Sequence, residues 1–197
     1  MLEAYLFIDP LCKKCIKSEQ IIKKLARNLN IRFSYQIIPM LNLKIIHRKR
    51  SRSDSQHNYQ LYYDTVMDYK AALFQGQKRG QNFFIMLQNE LLNDNHPYNN
   101  RLVMSTAENA KLDLDMFKED RRSRLARKAF KSDQQLVNEM KISKPSSAVI
   151  FNCDTFNYGL LFNRISYPEL YQICHRRYRT NQLLDNHGIP VPNVHIF

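Results

Sequence analysis

The first forty residues change their pattern of apolar and polar positions twice. Residues 4–8 form a continuous apolar run, which is typical of a strand buried on both faces of an α/β sheet, and Asp9 and Pro10 end it. From Cys12 onward apolar side chains recur at helical spacing among lysines, which predicts an amphipathic helix that begins there. Residues 31–38 then alternate as a strand does. This order predicts a right-handed βαβ unit with parallel strands.

A long block of helical patterns follows a basic segment, residues 40–56, that we interpret as a loop. The block predicts four helices, over residues 59–74, 77–92, 102–110 and 121–140. Asp113 is predicted to be the N-cap of a further helical segment, with Leu112 and Phe117 packed as a hydrophobic staple. In the last helix we expect these apolar side chains to point inward: Leu125, Ala129, Leu136 and Val137.

The C-terminal part returns to strand patterns. Residues 148–151 and 158–162 predict a hairpin, and a capping box at residues 166–169 opens a helix that runs to about residue 178. The order βαβ, helices, ββα is that of thioredoxin with a helical block between its halves. We therefore predict one α/β domain with a thioredoxin-like fold. Its predicted parts are a core of residues 1–39 and 141–180, a helical insertion of residues 57–140 and an extended tail of residues 181–197.

Composition narrows the class of function. The 197 residues are 44% hydrophobic, enough for one sizeable core. No apolar run is long enough for a membrane span or a signal peptide, so we expect a cytoplasmic protein without a membrane partner. The net charge of +12 attracts acidic molecules, but the sequence has no reader motif or interleaved aromatic surface, so nucleic acid is not favoured. The scattered histidines and four glycines predict neither a metal site nor a cofactor loop.

The candidate chemistry is the Cys-x-x-Cys pair, Cys12 and Cys15. A thiol at the start of a helix faces unpaired N–H groups, which should lower the pKa of Cys12, and the two intervening lysines act in the same direction. Cys15 can then attack a mixed disulfide at Cys12. The alternative is that the two cysteines form half of a zinc site. Such a site needs a second pair of ligands, and the sequence offers no second cysteine pair because Cys153 and Cys174 are single. We expect Cys174 to be a small buried side chain and Cys153 to be exposed and inert.

The motifs resemble those of DsbA-like thioredoxin-fold proteins. The resemblance rests on the sequence Ile-Asp-Pro-Leu-Cys-x-x-Cys at residues 8–15, on the helical insertion, on residues 112–118 and on Pro145 before the third strand. The chain is more closely similar to a short form of the YjbH/SpxH family of Firmicutes, in which longer members carry a further C-terminal helical region. These segments also fit that family: residues 21–25, 71–73, 75–80 and 108–109. The resemblance extends from about residue 2 to residue 178.

The resemblance implies a site and partners. Members of this family are cytoplasmic adaptors that deliver the stress regulator Spx to the ClpXP protease, so an Spx-like regulator and ClpX or ClpXP are the expected partners. Pro145 is implied to be a cis proline that faces the cysteines, and Lys144 and Ser146 are implied to contact a bound client. Lys144 and the lysines between the cysteines depart from the pattern of DsbA-like oxidoreductases. Two hypotheses follow: a Spx adaptor with a redox-responsive Cys-x-x-Cys, or a cytosolic thiol-disulfide oxidoreductase of the DsbA/FrnE type.

Overall fold

The computed structural model describes residues 1–29, 31–41, 52–152, 159–179 and 194–196. In chain order its elements are β1 (Leu2–Ile8), α1 (Lys13–Asn28), β2 (Phe33–Pro39), α2 (Arg52–Leu73), α3 (Gln77–Leu92), α4 (Asn100–Asn109), α5 (Leu114–Asp120), α6 (Arg124–Glu139), β3 (Ser147–Asn152), β4 (Gly159–Phe162), α7 (Tyr167–Arg179) and β5 (Val194–Ile196). None of the described helices is long and apolar enough to cross a membrane.

The chain divides into two compact units. One, the sheet unit, contains Met1–Ile8, Lys14–Ile38 and Met140–Phe197, and the other, the helical unit, contains Asp9–Lys13 and Pro39–Glu139. The sheet unit therefore gathers the two ends of the chain, and the helical unit gathers its middle. The short segment Asp9–Lys13, which carries the first cysteine, belongs with the helices.

The sheet unit is built on strands in the order β2-β1-β3-β4-β5. The N–H of Leu2 donates to the carbonyl of Arg32 at 2.9 Å, so β1 and β2 begin at the same end of the sheet, as the predicted parallel pair requires. β3 pairs antiparallel with β1 and with β4, and the second pairing is the predicted hairpin. β5, from the segment predicted to be an extended tail, pairs antiparallel with β4. β1 is an interior strand between β2 and β3, and most of its residues are buried.

The helical unit is organised around a cluster of buried apolar side chains from α2 to α5. Asp113 is the N-cap of α5, where its carboxylate accepts from the N–H groups of Asp115 and Met116, and this confirms the sequence prediction. Leu112 and Phe117 both lie in the buried cluster, as a hydrophobic staple requires. The cap thus fixes the point at which the chain enters the helix.

The last helix of this unit corrects the prediction in two respects. α6 begins at Arg124 rather than at residue 121, and the hydroxyl of Ser123 accepts from the N–H of Ala126 at 3.0 Å as a cap. Leu125 is 57% exposed, so its predicted inward orientation was wrong. The side chains that α6 buries are Ala126, Phe130, Asp133 and Val137. Val137 was predicted to be buried and is, whereas Ala129 and Leu136 are half-buried. Packing of Ala126 and Phe130 against α2 turns Leu125 outward.

Candidate redox and client-binding site

The turn that carries Cys12 is fixed by its own backbone and by the helical unit. The Asp9 carboxylate accepts from the N–H of Leu11 at 2.9 Å, and the Asp9 carbonyl accepts from the N–H of Cys12 at 3.2 Å. The side-chain amide of Gln88 on α3 donates to the carbonyl of Pro10 at 3.1 Å. Leu11 packs against a buried cluster from α2 and α6. Cys12 therefore lies in a turn whose conformation is stabilised by hydrogen bonds and by apolar packing.

Asp9 is a buried carboxyl group that sequence reasoning treated only as the end of a strand. Its side chain is 5% exposed, and burial raises its pKa, while the hydrogen bond from Leu11 acts in the opposite direction. The Asp-Pro pair could have indicated a structural role for this carboxylate in the sequence, because an Asp side chain in a turn commonly accepts a hydrogen bond from the backbone two residues further on. Asp9 positions the turn three residues before the first cysteine.

The two cysteines differ in accessibility. Cys12 is half-buried and immediately precedes the first residue of α1, whereas Cys15 lies in the first turn of that helix and is 0% exposed. The boundary between the two compact units falls between them in the sequence. This arrangement suits a reactive first thiol and a protected second one.

The loop before β3 lies against α1 within the sheet unit. The N–H of Ser146 donates to the carbonyl of Phe7, the penultimate residue of β1, at 2.7 Å. The hydroxyl groups of Ser146 and Ser18 are hydrogen-bonded at 2.5 Å, which attaches this loop to α1 one turn beyond Cys15. The hydroxyl of Ser147 donates to the carbonyl of Lys144 at 2.9 Å. The structure thus brings the predicted residue Ser146 to the helix that carries Cys15, through Ser18, which the sequence analysis did not select.

The predicted cis bond before Pro145 was wrong. No peptide bond among the described residues is cis, so the Lys144–Pro145 bond is trans. The trans form is the favoured state of an X–Pro bond, and here the turn into β3 is made at Ser146, whose φ of 67° lies in the left-handed region. The hydrogen bonds of Ser146 hold this uncommon backbone conformation. Lys144 is exposed and Pro145 half-buried.

α1 carries a second buried polar residue in addition to Ser18. Glu19 is 1% exposed and lies one turn beyond Cys15 on the same face of the helix. Tyr35 on β2 has a raised pKa, chiefly through burial and then through the negative charge of Glu19, while Arg27 acts in the opposite direction. The sequence could have indicated this position, because Glu19 follows Cys15 by four residues and residues four apart share a helix face.

The remaining candidates of the sequence analysis lie elsewhere. Cys174 is 1% exposed, which confirms the expected small buried side chain. Cys153 and residues 47–51 of the basic cluster lie outside the described residues. His96 contacts Glu90 at the surface, and His175 stacks on Tyr171. No group of three potential metal ligands occurs within the described part of the chain.

The fold and the position of the cysteine pair define a thioredoxin-like protein of the DsbA-like kind, with helices inserted between the halves of the core. A family model described as thioredoxin matches residues 5–173, and the chain belongs to this family. Among solved structures, the cytosolic disulfide reductase DsbM from Pseudomonas aeruginosa has a TM-score of 0.65 at 10% identity and covers 90% of this chain and 98% of its own. That likeness shows the fold alone.

Curated relatives bear the name ClpXP adapter protein SpxH. The protein from Staphylococcus saprophyticus is 31% identical over 159 residues, which cover 81% of this chain and 59% of the relative. The protein from Bacillus subtilis is 30% identical over 183 residues, which cover 81% of this chain and 61% of the relative. The chain thus spans about three fifths of the length of these relatives.

Proposed function

We propose that this chain is a cytoplasmic adaptor-like protein that binds an Spx-like regulator and promotes its degradation by ClpXP. The observation that carries the proposal is the similarity of 81% of the chain to proteins named as ClpXP adapters, at identities of 30–31%. The thioredoxin-like fold agrees with the family model that matches residues 5–173.

Within the sheet unit, the loop 144–146 is the proposed client contact. Lys144 is exposed and carries a positive charge, whereas the N–H of Ser146 and the carbonyl of Lys144 already have partners within the chain. The exposed Lys144 side chain is the contact that we propose this loop offers to a client. Ser146 acts through its bond to Ser18, which holds the loop against α1.

The cysteine pair is proposed to make this binding redox-responsive. Oxidation of Cys12 and Cys15 by a disulfide-containing molecule would transfer two electrons and two protons to that molecule and close a ring across the first turn of α1. Ser18 lies one turn further along the same helix and holds Ser146. A ring at the start of α1 would alter the support of the client loop.

The test is reconstituted degradation of Spx by ClpXP, with and without the chain. The chain should shorten the half-life of Spx several-fold, and Lys144→Ala should weaken this effect more than Lys78→Ala, a control at an exposed lysine on α3. Cys12→Ser with Cys15→Ser should retain the activity but remove its response to oxidised glutathione. An unchanged Spx half-life on addition of the wild-type chain would refute the adaptor proposal.

A thiol-disulfide oxidoreductase is the second candidate, and the contrast between half-buried Cys12 and buried Cys15 favours it. The enzyme would reduce insulin disulfides with dithiothreitol as electron donor, and Cys12→Ser would abolish that rate. Cys15→Ser would accumulate a mixed disulfide at Cys12. No insulin reduction above the rate of dithiothreitol alone would exclude this candidate.

A further inference from the structure

The peptide group that joins Pro10 to Leu11, just before Cys12, is hydrogen-bonded at both of its polar ends. Its carbonyl accepts from the side-chain amide of Gln88 on α3 at 3.1 Å, and its N–H donates to the Asp9 carboxylate at 2.9 Å. The following N–H, that of Cys12, donates to the Asp9 carbonyl at 3.2 Å. Because the peptide group is planar, it cannot rotate without breaking one of these bonds. Asp9 and Gln88 therefore fix the direction in which the chain reaches Cys12.

Gln88 is buried at a cost that its own packing does not explain. Its side chain is 0% exposed, and within the part of the chain that the structure describes its Oε1 atom receives no hydrogen bond. A buried acceptor without a donor lowers stability, so an apolar side chain of similar size would pack at least as well. The orientation of the amide is determined, because the Pro10 carbonyl can only accept and therefore requires Nε2 on its side. The specific contribution of Gln88 is thus its hydrogen bond to the turn.

Cys12 lies at a position where the direction of the entering chain matters for a thiol. It immediately precedes Lys13, the first residue of α1, and so occupies the N-cap position. An N-cap side chain can accept from the N–H groups of the first helical turn when the backbone of its residue is extended rather than helical. A thiolate gains more from these N–H groups than a thiol does. A turn that could rotate freely would therefore make Cys12 less reactive.

We propose that Asp9 and Gln88 are positioning residues for Cys12, which hold the peptide group between Pro10 and Leu11 in the orientation that places the thiol at the start of α1. Gln88 belongs to α3, and the turn from Asp9 to Lys13 belongs to the same helical unit. The helical unit therefore contributes directly to the reactivity of the first cysteine. The proposal rests on Cys12 being the reactive thiol of both proposed functions, and it adds the residues that make this thiol reactive.

The test measures the alkylation of Cys12 by iodoacetamide between pH 5 and pH 9.5 in the full chain, by mass spectrometry of the peptide that contains Cys12. In Gln88→Met the rate at pH 6 should fall about three-fold or more, because the midpoint of the pH profile rises, whereas the rate at pH 9.5 should change less than about two-fold. Methionine is similar in size and removes both the donor and the buried oxygen that lacks one, so we expect this variant to fold. The control Gln75→Met loses two hydrogen bonds to the Asp113 backbone in the same unit and should leave the Cys12 profile unchanged.

A pair of variants at Asp9 tests the proposal independently of the stability of Gln88→Met. Asp9→Asn and Asp9→Ala both remove the carboxylate charge, but asparagine alone retains a side-chain oxygen that can accept from the N–H of Leu11. The comparison between these two variants therefore isolates the hydrogen bond from the charge. Asp9→Ala should have the higher midpoint of the two, and its Cys12 should be alkylated about three-fold or more slowly at pH 6 than that of Asp9→Asn.

Three results would overturn the proposal. The first is an identical Cys12 profile in Asp9→Ala and Asp9→Asn, or in Gln88→Met and the wild type. The second is a midpoint that Gln75→Met shifts as far as Gln88→Met does. The third is alkylation of buried Cys15 in Gln88→Met as fast as that of Cys12, which would show that the variant loosens the structure rather than misplaces one thiol. None of these measurements uses Spx or ClpXP, so failure here and failure of the adaptor proposal are distinguishable.

Discussion

The carboxyl group of Asp68 on α2 allows a test of the buried electrostatics by pH. Its side chain is 2% exposed and accepts from Arg121 Nε at 2.5 Å and from the hydroxyl of Tyr98 at 2.7 Å. Arg121 also donates to Asn100 at 2.8 Å, so the group links three segments of the helical unit. Burial raises the pKa of Asp68 from 3.8 to about 6, and it outweighs the opposing effects of Arg121 and Tyr98.

The sign of the effect follows from linkage. The folded chain binds a proton at Asp68 more tightly than the unfolded chain, so this contribution to stability is full below pH 3.8 and is lost as pH rises through about 6. At about 1.4 kcal/mol per pKa unit the whole contribution is roughly 3 kcal/mol. About 1.3 kcal/mol of it should appear between pH 7 and pH 5.

The assay is urea unfolding, followed by circular dichroism, of the wild type and Asp68→Asn at both pH values. Asparagine does not titrate, so the stability difference between the two proteins should move in favour of the wild type by about 1.3 kcal/mol when pH falls from 7 to 5. Asp94→Asn, at an exposed carboxylate, is the control for loss of one negative charge. A change of less than about 0.4 kcal/mol, or one of opposite sign, would mean that the Arg121 pair outweighs burial.

Three further outcomes are expected. Gly80→Ala should destabilise the chain by about 1–3 kcal/mol in urea unfolding, because the new Cβ would lie 2.8 Å from the backbone of Leu73; no loss of stability would contradict this close approach. Asp113→Ala should cost about 1 kcal/mol and Asp113→Asn much less, since asparagine also caps helices, and equal costs would argue against the cap. Iodoacetamide should modify Cys12 at least ten-fold faster than Cys15 by peptide mass spectrometry, because Cys15 is buried; equal rates would contradict this.

The sequence predicted those parts of the fold that local patterns determine. The first strand and helix, the Asp113 cap and the β3–β4 hairpin all follow from periodicity or from capping residues close together in the chain. The orientation of α6 could not be predicted in this way, because Leu125 and Ala126 are adjacent apolar residues and only packing against α2 decides between them.

The candidate site likewise combines features that the local sequence predicts with features that only the folded chain creates. The cysteine pair was visible in the sequence, since its spacing is local. The contact between Ser18 and Ser146 joins residues 128 positions apart, and two serines carry no signal that would pair them. The burial of Asp9 likewise depends on the surroundings of its turn rather than on its neighbours in sequence.

The backbone of the loop that we propose contacts the client bears on the choice between the two proposed functions. An enzyme that exchanges disulfides with peptides benefits from strand-like pairing, which requires available N–H and C=O groups beside the cysteines. Pro145 has no N–H, the N–H of Ser146 is donated to Phe7, and the carbonyl of Lys144 accepts from Ser147. The turn into β3 is made at Ser146, whose φ is 67°, and the Lys144–Pro145 bond is trans. We propose that this loop contacts a client chiefly through the Lys144 side chain, which suits a folded regulator better than an extended peptide substrate.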